Sequence, residues 1–316
     1  MRIIYDKTMN NKTQKEDFSI YEFFLKFPDE QSARLHFEKY LWNDGAKCPY
    51  CHSYNAQECK NQIPMPYRCR DCRKHFSVRT NTVLAESRLG LHKWLLAMYI
   101  LTSSRKGVSS VQLAKHLGVT QKTAWFLAHR IRQTWKKHKN KLSKHVEVDE
   151  TYIGGKEKNK HSDKKLKKGR GAVGKIAVMG MLERKGEVKA LIINSTDKQT
   201  LVSEINDSID KHSFVYTDSF KSYYGIKGYN HEVVNHSVGE YVRDQAHTNG
   251  IESFWALLKR GYYGIYHHMS KKHLQKYVNE FSHRHNTSSL SLLDCINKTI
   301  ILSTNCHLSY NELING

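Results

Sequence analysis

Apolar residues recur at helical spacing between Phe18 and Trp42, first at Phe23, Phe24 and Phe27 and then at Leu35, Phe37, Tyr40 and Leu41. This predicts two short helices parted at Pro28, because proline removes a helix-interior donor. A second helical stretch runs from Leu91 to Trp135, with breaks at Gly107 and Gly118. From His145 the pattern changes to short strand-like runs at 145–153, 176–183, 188–194 and 214–218. One helix is expected near 200–210, a short strand at 232–236, and helices near 249–260 and 271–284. Strands, helix, strand, strand, helix is the order of an α/β domain with a mixed sheet.

These patterns divide the chain into a disordered polar N-terminus at 1–17, N-terminal helices with a cysteine-rich module at 18–85, and a helical region at 86–140. An α/β domain at 141–290 and a C-terminal tail at 291–316 follow. Three of the four prolines, Pro49, Pro64 and Pro66, fall in the cysteine-rich stretch, where tight turns are expected.

Charge narrows the partners. Lys and Arg total 51 against 30 Asp and Glu, giving a net charge of +21 and a pI near 9.6, which points to a polyanion such as nucleic acid. Asp6, Glu16 and Asp17 make the first residues unlike a secretory signal, and no apolar run approaches the ~20 residues that span a bilayer. A cytoplasmic protein without membrane contact is expected, so its seven cysteines are read as metal ligands or thiols instead of disulfides.

Cys48-Pro-Tyr-Cys51 and Cys69-Arg-Asp-Cys72 are two CxxC pairs with seventeen residues between Cys51 and Cys69. That spacing fits a zinc ribbon, in which two turns each present two thiolates to one tetrahedral ion. Cys59, Cys295 and Cys306 lack such partners and read as ordinary cysteines.

Ser109-Ser110-Val-Gln112 has the form of a capping box, Gly118 marks a turn, and Thr120 is placed to cap a second helix. Ala114, Gly118, Ala124 and Leu127 have helix-turn-helix spacing, which leaves Gln121, Lys122, Thr123 and Arg130 to face DNA. Between Lys156 and Arg170 lie eight Lys or Arg, including Lys164, Lys165, Lys167 and Lys168. This run is expected to be a loop that contacts phosphates, with a solvated charged insertion as the alternative.

Three acids carry the candidate chemistry. In His145-Val-Glu-Val-Asp149 the valines alternate with acids, so Glu147 and Asp149 share one strand face. Phe214-Val-Tyr-Thr-Asp218 is a second apolar strand ending in an acid. Glu252 sits on a helix whose Ile251, Phe254, Trp255 and Leu258 form a core stripe, with Asn249 and Lys259 beside it. Carboxylate oxygens suit Mg2+, so three such acids in a basic chain point to a divalent-metal site acting on nucleic acid.

With these motifs in place, the chain resembles the ISXO-two-like transposases of bacterial insertion sequences from about Phe18 to about Asn286. The resemblance rests on the two CxxC pairs, on Asp149-Glu-Thr-Tyr-Ile-Gly-Gly-Lys156, on Asp218, and on His247-Thr-Asn-Gly-Ile-Glu252-Ser-Phe-Trp with Lys259. It implies an N-terminal zinc ribbon and a ribonuclease H-like DDE catalytic domain over 141–290. In it Asp149, Asp218 and Glu252 are the catalytic carboxylates and hold Mg2+ (or Mn2+). Lys259 then contacts a phosphate near the scissile bond, and Asn249 is an auxiliary ligand, a DNA contact or the alternative third ligand. The implied partners are terminal inverted repeats, target DNA and further copies of the chain, as a homodimer or higher on DNA. A zinc-ribbon and helix-turn-helix regulator, and a nuclease that cleaves without joining, are the rival readings.

Overall fold

The computed structural model describes residues 18–136, 140–155, 157–159, 161–166, 172–234 and 247–315. The expected disordered segment at 1–17 lies outside them. Helices α1 (Ile20–Lys26) and α2 (Glu30–Leu41) start where predicted, each opened by a reciprocal capping box, Ser19 with Glu22 and Asp29 with Ser32. A small antiparallel sheet of β1 (Ala56–Glu58), β2 (Tyr67–Cys69) and β3 (His75–Phe76) forms the cysteine module.

Helices α3 (Leu91–Ser103), α4 (Ser110–Leu117) and α5 (Gln121–Thr134) build a helical body. The α3 helix runs through its centre with Trp94, Leu95, Met98 and Leu101 buried against Phe23, Phe37, Leu113, Leu127 and Ile131. Ser109 and Thr120 cap α4 and α5 as expected, and Gly118 takes a left-handed conformation (φ 59°, ψ 49°) that favours glycine.

The larger sheet contains β4 (His145–Ile153), β5 (Ile176–Glu183), β6 (Val188–Ile193), β7 (Phe214–Asp218) and β8 (Asn230–Val234) in the order β6-β5-β4-β7-β8. The first three strands form an antiparallel meander, whereas β7 runs parallel to β4, and β8 parallel to β7. Helix α6 (Lys198–Ser208) crosses from β6 to β7 and covers one face through Leu201 and Ile205, packed with Val146, Val148 and Val215. On the other face lie α7 (Asn249–Gly261) and α8 (Lys271–Asn286), with Ile251, Phe254, Trp255 and Leu258 against Val178 and Leu182. Gly180 permits this close seat, since a Cβ there would meet the Trp255 ring at 2.5 Å.

The C-terminal stretch differs from the tail expected at 291–316. Helices α9 (Leu292–Ile301) and α10 (Tyr310–Asn315) form there, and Ile296 and Ile300 are buried in the helical body. The reason is an apolar stripe through Leu292, Cys295, Ile296 and Ile300, which packs on α2 and α3.

Helices α5 and α8 are tied by a buried ion pair. Arg132 donates to Glu280 at 2.6 Å, Tyr266 donates to the other Glu280 oxygen at 2.9 Å, and Arg284 also pairs with it. Truncating Arg132 removes the most buried partner of Glu280 and leaves that fully buried carboxylate to Arg284 and Tyr266 alone. Arg132→Ala is therefore expected to lower stability by about 3 kcal/mol, read as a fall in the urea midpoint at unchanged slope. An unchanged midpoint contradicts this view of the pair.

Candidate active site

In the small module, Cys48 and Cys72 lie with their sulfurs 3.6 Å apart, as do Cys51 and Cys69. All four ligand atoms fall within 4.8 Å of one another. Four thiolates on a tetrahedral ion at about 2.3 Å would stand about 3.8 Å apart, so the donor set fits zinc. Backbone N–H groups of Cys72 and Asp71 stabilise the thiolate of Cys69 and hold its pKa below the usual thiol range. Apart from these sulfurs the module's core is thin: Phe76 stacked on Tyr67, with Trp42 edge-on to both.

Asp149 projects from β4 towards α7, where the Trp255 indole N–H donates to its Oδ2 at 3.0 Å. The β4–β7 pairing matches Glu147 with Tyr216. Two residues on, that register sets Asp218 level with Asp149 on the same face. Burial, then the charges of Glu150 and Asp218, push the Asp149 carboxyl up to about 7. A cation between these acids would relieve that repulsion, so the donor chemistry fits a hard divalent metal.

Glu150 faces the opposite side of the sheet, where the Tyr223 hydroxyl donates to it at 2.6 Å. Glu252 is exposed in the first turn of α7, and the Thr248 hydroxyl donates to its Oε1 at 3.1 Å. Among the described residues only the four cysteines bring three or more ligand atoms within 4.8 Å. Asp149, Asp218 and Glu252 thus share one side of the sheet without being drawn to common ligand distance. Lys259 is half-buried two turns along α7 from Glu252, and Asn249 is exposed as the first residue of the helix.

Two contributors were not apparent from sequence. Trp255 reads as core, yet it also holds Asp149; an indole at the edge of an apolar stripe was the only signal. Glu147 is 1% exposed and lies under the start of α7, accepting from Ile251 N–H at 3.0 Å and Arg184 Nε at 2.9 Å.

Of the residues expected to face DNA, Gln121 and Lys122 are exposed at the start of α5. Gln121 donates to Ser110, and the Lys122 ammonium lies 4.7 Å from the centre of the Tyr310 ring. Thr123 is half-buried beside its cap, Thr120. Arg130 requires a correction. It is 4% exposed, donates to the Ala85 carbonyl and stacks on Trp94 and Phe126, because the C-terminal half of α5 is enclosed by the helical body. Lys165 is exposed. The Lys164 side chain and the whole of Lys167 and Lys168 lie outside what is described.

A cysteine module with metal-site geometry, followed by a mixed α/β domain whose central strands present acids beneath a helix, defines the class of protein. Residues 141–286 match the family model of the ISXO2-like transposase domain. It is 28% identical over 271 residues to an uncharacterized protein in transposable element ISH50 of Halobacterium salinarum, covering 82% of this chain and 91% of the relative. An uncharacterized transposase-like protein of Haemophilus influenzae is 28% identical over 119 residues, 37% of this chain and 95% of the relative. The crystal structure of the Mos1 strand transfer complex shows a slight likeness, with a TM-score of 0.28 at 14% identity over 65% of this chain and 74% of that one. Among the described residues no helix is long and apolar enough to cross a membrane.

Proposed function

We propose that the chain is a DNA transposase that binds terminal inverted repeats, cleaves DNA at the element ends and joins the freed 3'-OH ends to target DNA. The observation that carries this reading is the pair Asp149 and Asp218, brought level on adjacent parallel strands with Asp218 adding to the charge that disfavours ionised Asp149, and with Asp149 held by Trp255. The order of three antiparallel strands, a crossover helix and two parallel strands supports a ribonuclease H-like catalytic domain.

Asp149, Asp218 and Glu252 are the oxygen ligands for Mg2+ or Mn2+. Such ions, when bound, activate an attacking oxygen and stabilise the leaving one in phosphodiester chemistry. Trp255 fixes the orientation of Asp149, and Thr248 that of Glu252. Lys259 neutralises a phosphate beside the scissile bond, and Asn249 is an auxiliary DNA contact. In cleavage, water adds to phosphorus and the 3'-oxygen departs. In joining, that 3'-OH adds to a target phosphodiester and the target's 3'-oxygen departs, so no bond to the protein is formed.

The cysteine module holds structural zinc. The α4–α5 pair serves as a helix-turn-helix, with Gln121, Lys122 and Thr123 towards DNA, and Lys164, Lys165, Lys167 and Lys168 contact backbone phosphates. The chain acts on DNA as a dimer or higher oligomer. Phosphate contacts predict affinity that falls linearly in log–log with salt, by about 0.9 per contacted phosphate. Lys122→Ala is expected to weaken binding evenly across sequences and to reduce the salt slope by about 1. A slope equal to that of the unaltered protein in a fluorescence-anisotropy titration removes Lys122 from the interface. The activity itself is tested by incubating the purified protein and Mg2+ with DNA carrying the element's ends. New 3'-OH ends and joined products support the proposal, while cleavage without joining favours a nuclease.

A further inference from the structure

Strand β4 carries two inward acids on the α7 side, and they meet different surroundings. Asp149 faces the proposed metal site. Glu147, two residues earlier, is sealed beneath the start of α7, where both its oxygens are engaged. Its Oε2 accepts the Ile251 N–H, one of the amides that a helix's first turn leaves without a helical partner. Its Oε1 accepts from Arg184 Nε, and His247 Nδ1 lies 3.1 Å from the same oxygen. Arg184 also donates through Nη2 to the His247 carbonyl at 2.8 Å, and its guanidinium lies over Tyr216, 4.1 Å from the ring centre.

This cluster does the work that the N-cap residue usually does. Thr248 stands at the N-cap, yet its side chain makes no capping bond to the helix backbone. Its hydroxyl donates instead to Glu252. Gly250 completes the fit, since a Cβ there would come within 2.8 Å of Glu147 Oε2 and 2.9 Å of Leu182 Cδ2. The backbone of α7 therefore rests directly on the Glu147 carboxylate.

We infer that Glu147, locked by Arg184, is a positioning residue: it caps α7 from the neighbouring strand, leaves Thr248 to orient Glu252, and sets the height of Glu252 relative to Asp149. This inference rests on the reading of Glu252 as a metal ligand. In Glu147→Gln the amide carbonyl keeps an acceptor for Ile251 while the partner for Arg184 is lost. Gly250→Ala keeps the Glu147–Arg184 pair intact and lifts the helix from it, with a residue that favours helix.

Mn2+ binding to the full-length protein, followed by electron paramagnetic resonance, reads the effect without relying on turnover. Loss of groups that orient metal ligands typically weakens metal binding about 10–100-fold. Both variants are expected to bind Mn2+ at least about tenfold more weakly, with DNA affinity unchanged and faster hydrogen exchange at the start of α7. Glu252→Gln serves as the reference. If it weakens Mn2+ binding while Gly250→Ala and folded Glu147→Gln do not, the positioning role is overturned and the metal site stands. Should Glu147→Gln fail to fold, Gly250→Ala alone decides by the same criterion. Unchanged Mn2+ affinity in Glu252→Gln overturns the metal-site reading and this inference with it.

Discussion

Asp149→Asn is expected to abolish DNA cleavage and, in metal-free protein, to raise the melting temperature. The two effects share one cause. Burial and the nearby charges of Glu150 and Asp218 push the Asp149 carboxyl up to about 7, so the fold disfavours its ionised form. In the unfolded chain the same group ionises near 4. Between these values the folded state holds a proton that the unfolded state has released, so stability falls as pH rises from about 4 to about 7 and stays reduced above. The cost reaches a few kcal/mol, at about 1.4 kcal/mol per pH unit. Asparagine removes the charge and nearly keeps the shape. Above pH 7 the variant should melt several degrees higher than the unaltered protein, with the difference shrinking towards pH 4. Mg2+ should stabilise the unaltered protein and leave the variant little changed. Cleavage should fall by about 10³ or more, since a metal's charge stabilisation in phosphoryl chemistry is worth several kcal/mol. Calorimetry at pH 5 and pH 8 checks the first part; a variant equally stable at both, relative to the unaltered protein, refutes it.

Removing metal from the cysteine module should have a comparably large effect at a different place. Strands of three, three and two residues enclose a core of little beyond Phe76, Tyr67 and Trp42. Such a core cannot offset the ordering of the chain around it. Structural zinc supplies about 10–16 kcal/mol in comparable peptides. Cys69→Ser, or a strong chelator, is expected to unfold residues 43–77 and to leave the large sheet cooperative. The module meets α2 through Tyr67 on Glu38, Arg34 on Glu58 and Trp42 at the helix's C-terminal end, so α2 should loosen along that side. Limited proteolysis with mass spectrometry reads this directly. Cleavage confined to the module is the expected pattern; full protection without zinc contradicts a structural metal.

Local pattern carried much of this fold. Alternation in β4 put Val146 and Val148 on one face and Glu147 and Asp149 on the other, and the stripe on α7 told which side meets the sheet. The cysteine spacing announced its own geometry because four ligands around one ion leave few arrangements. What was hidden depends on contacts distant in sequence. Glu147 and Ile251 are 104 positions apart, and nothing local separates a buried capping glutamate from a solvated one. Arg130 misled because α5 is enclosed on nearly all sides in its second half, so its basic residues are buried in the helical body instead of forming a polar face. The C-terminal helices were legible in principle, since the α9 stripe has helical spacing, but a stripe does not name the surface it packs on.

The central claim is that Asp149, Asp218 and Glu252 form one metal-dependent site for cutting and joining DNA. The most direct measurement is strand cleavage and joining by full-length Asp218→Asn and Glu252→Gln in Mg2+, alongside the unaltered protein, on DNA bearing the element's ends. Each variant should bind that DNA with unaltered affinity and yield neither new 3'-OH ends nor joined product. Cleavage by either variant at a rate near that of the unaltered protein would contradict the account.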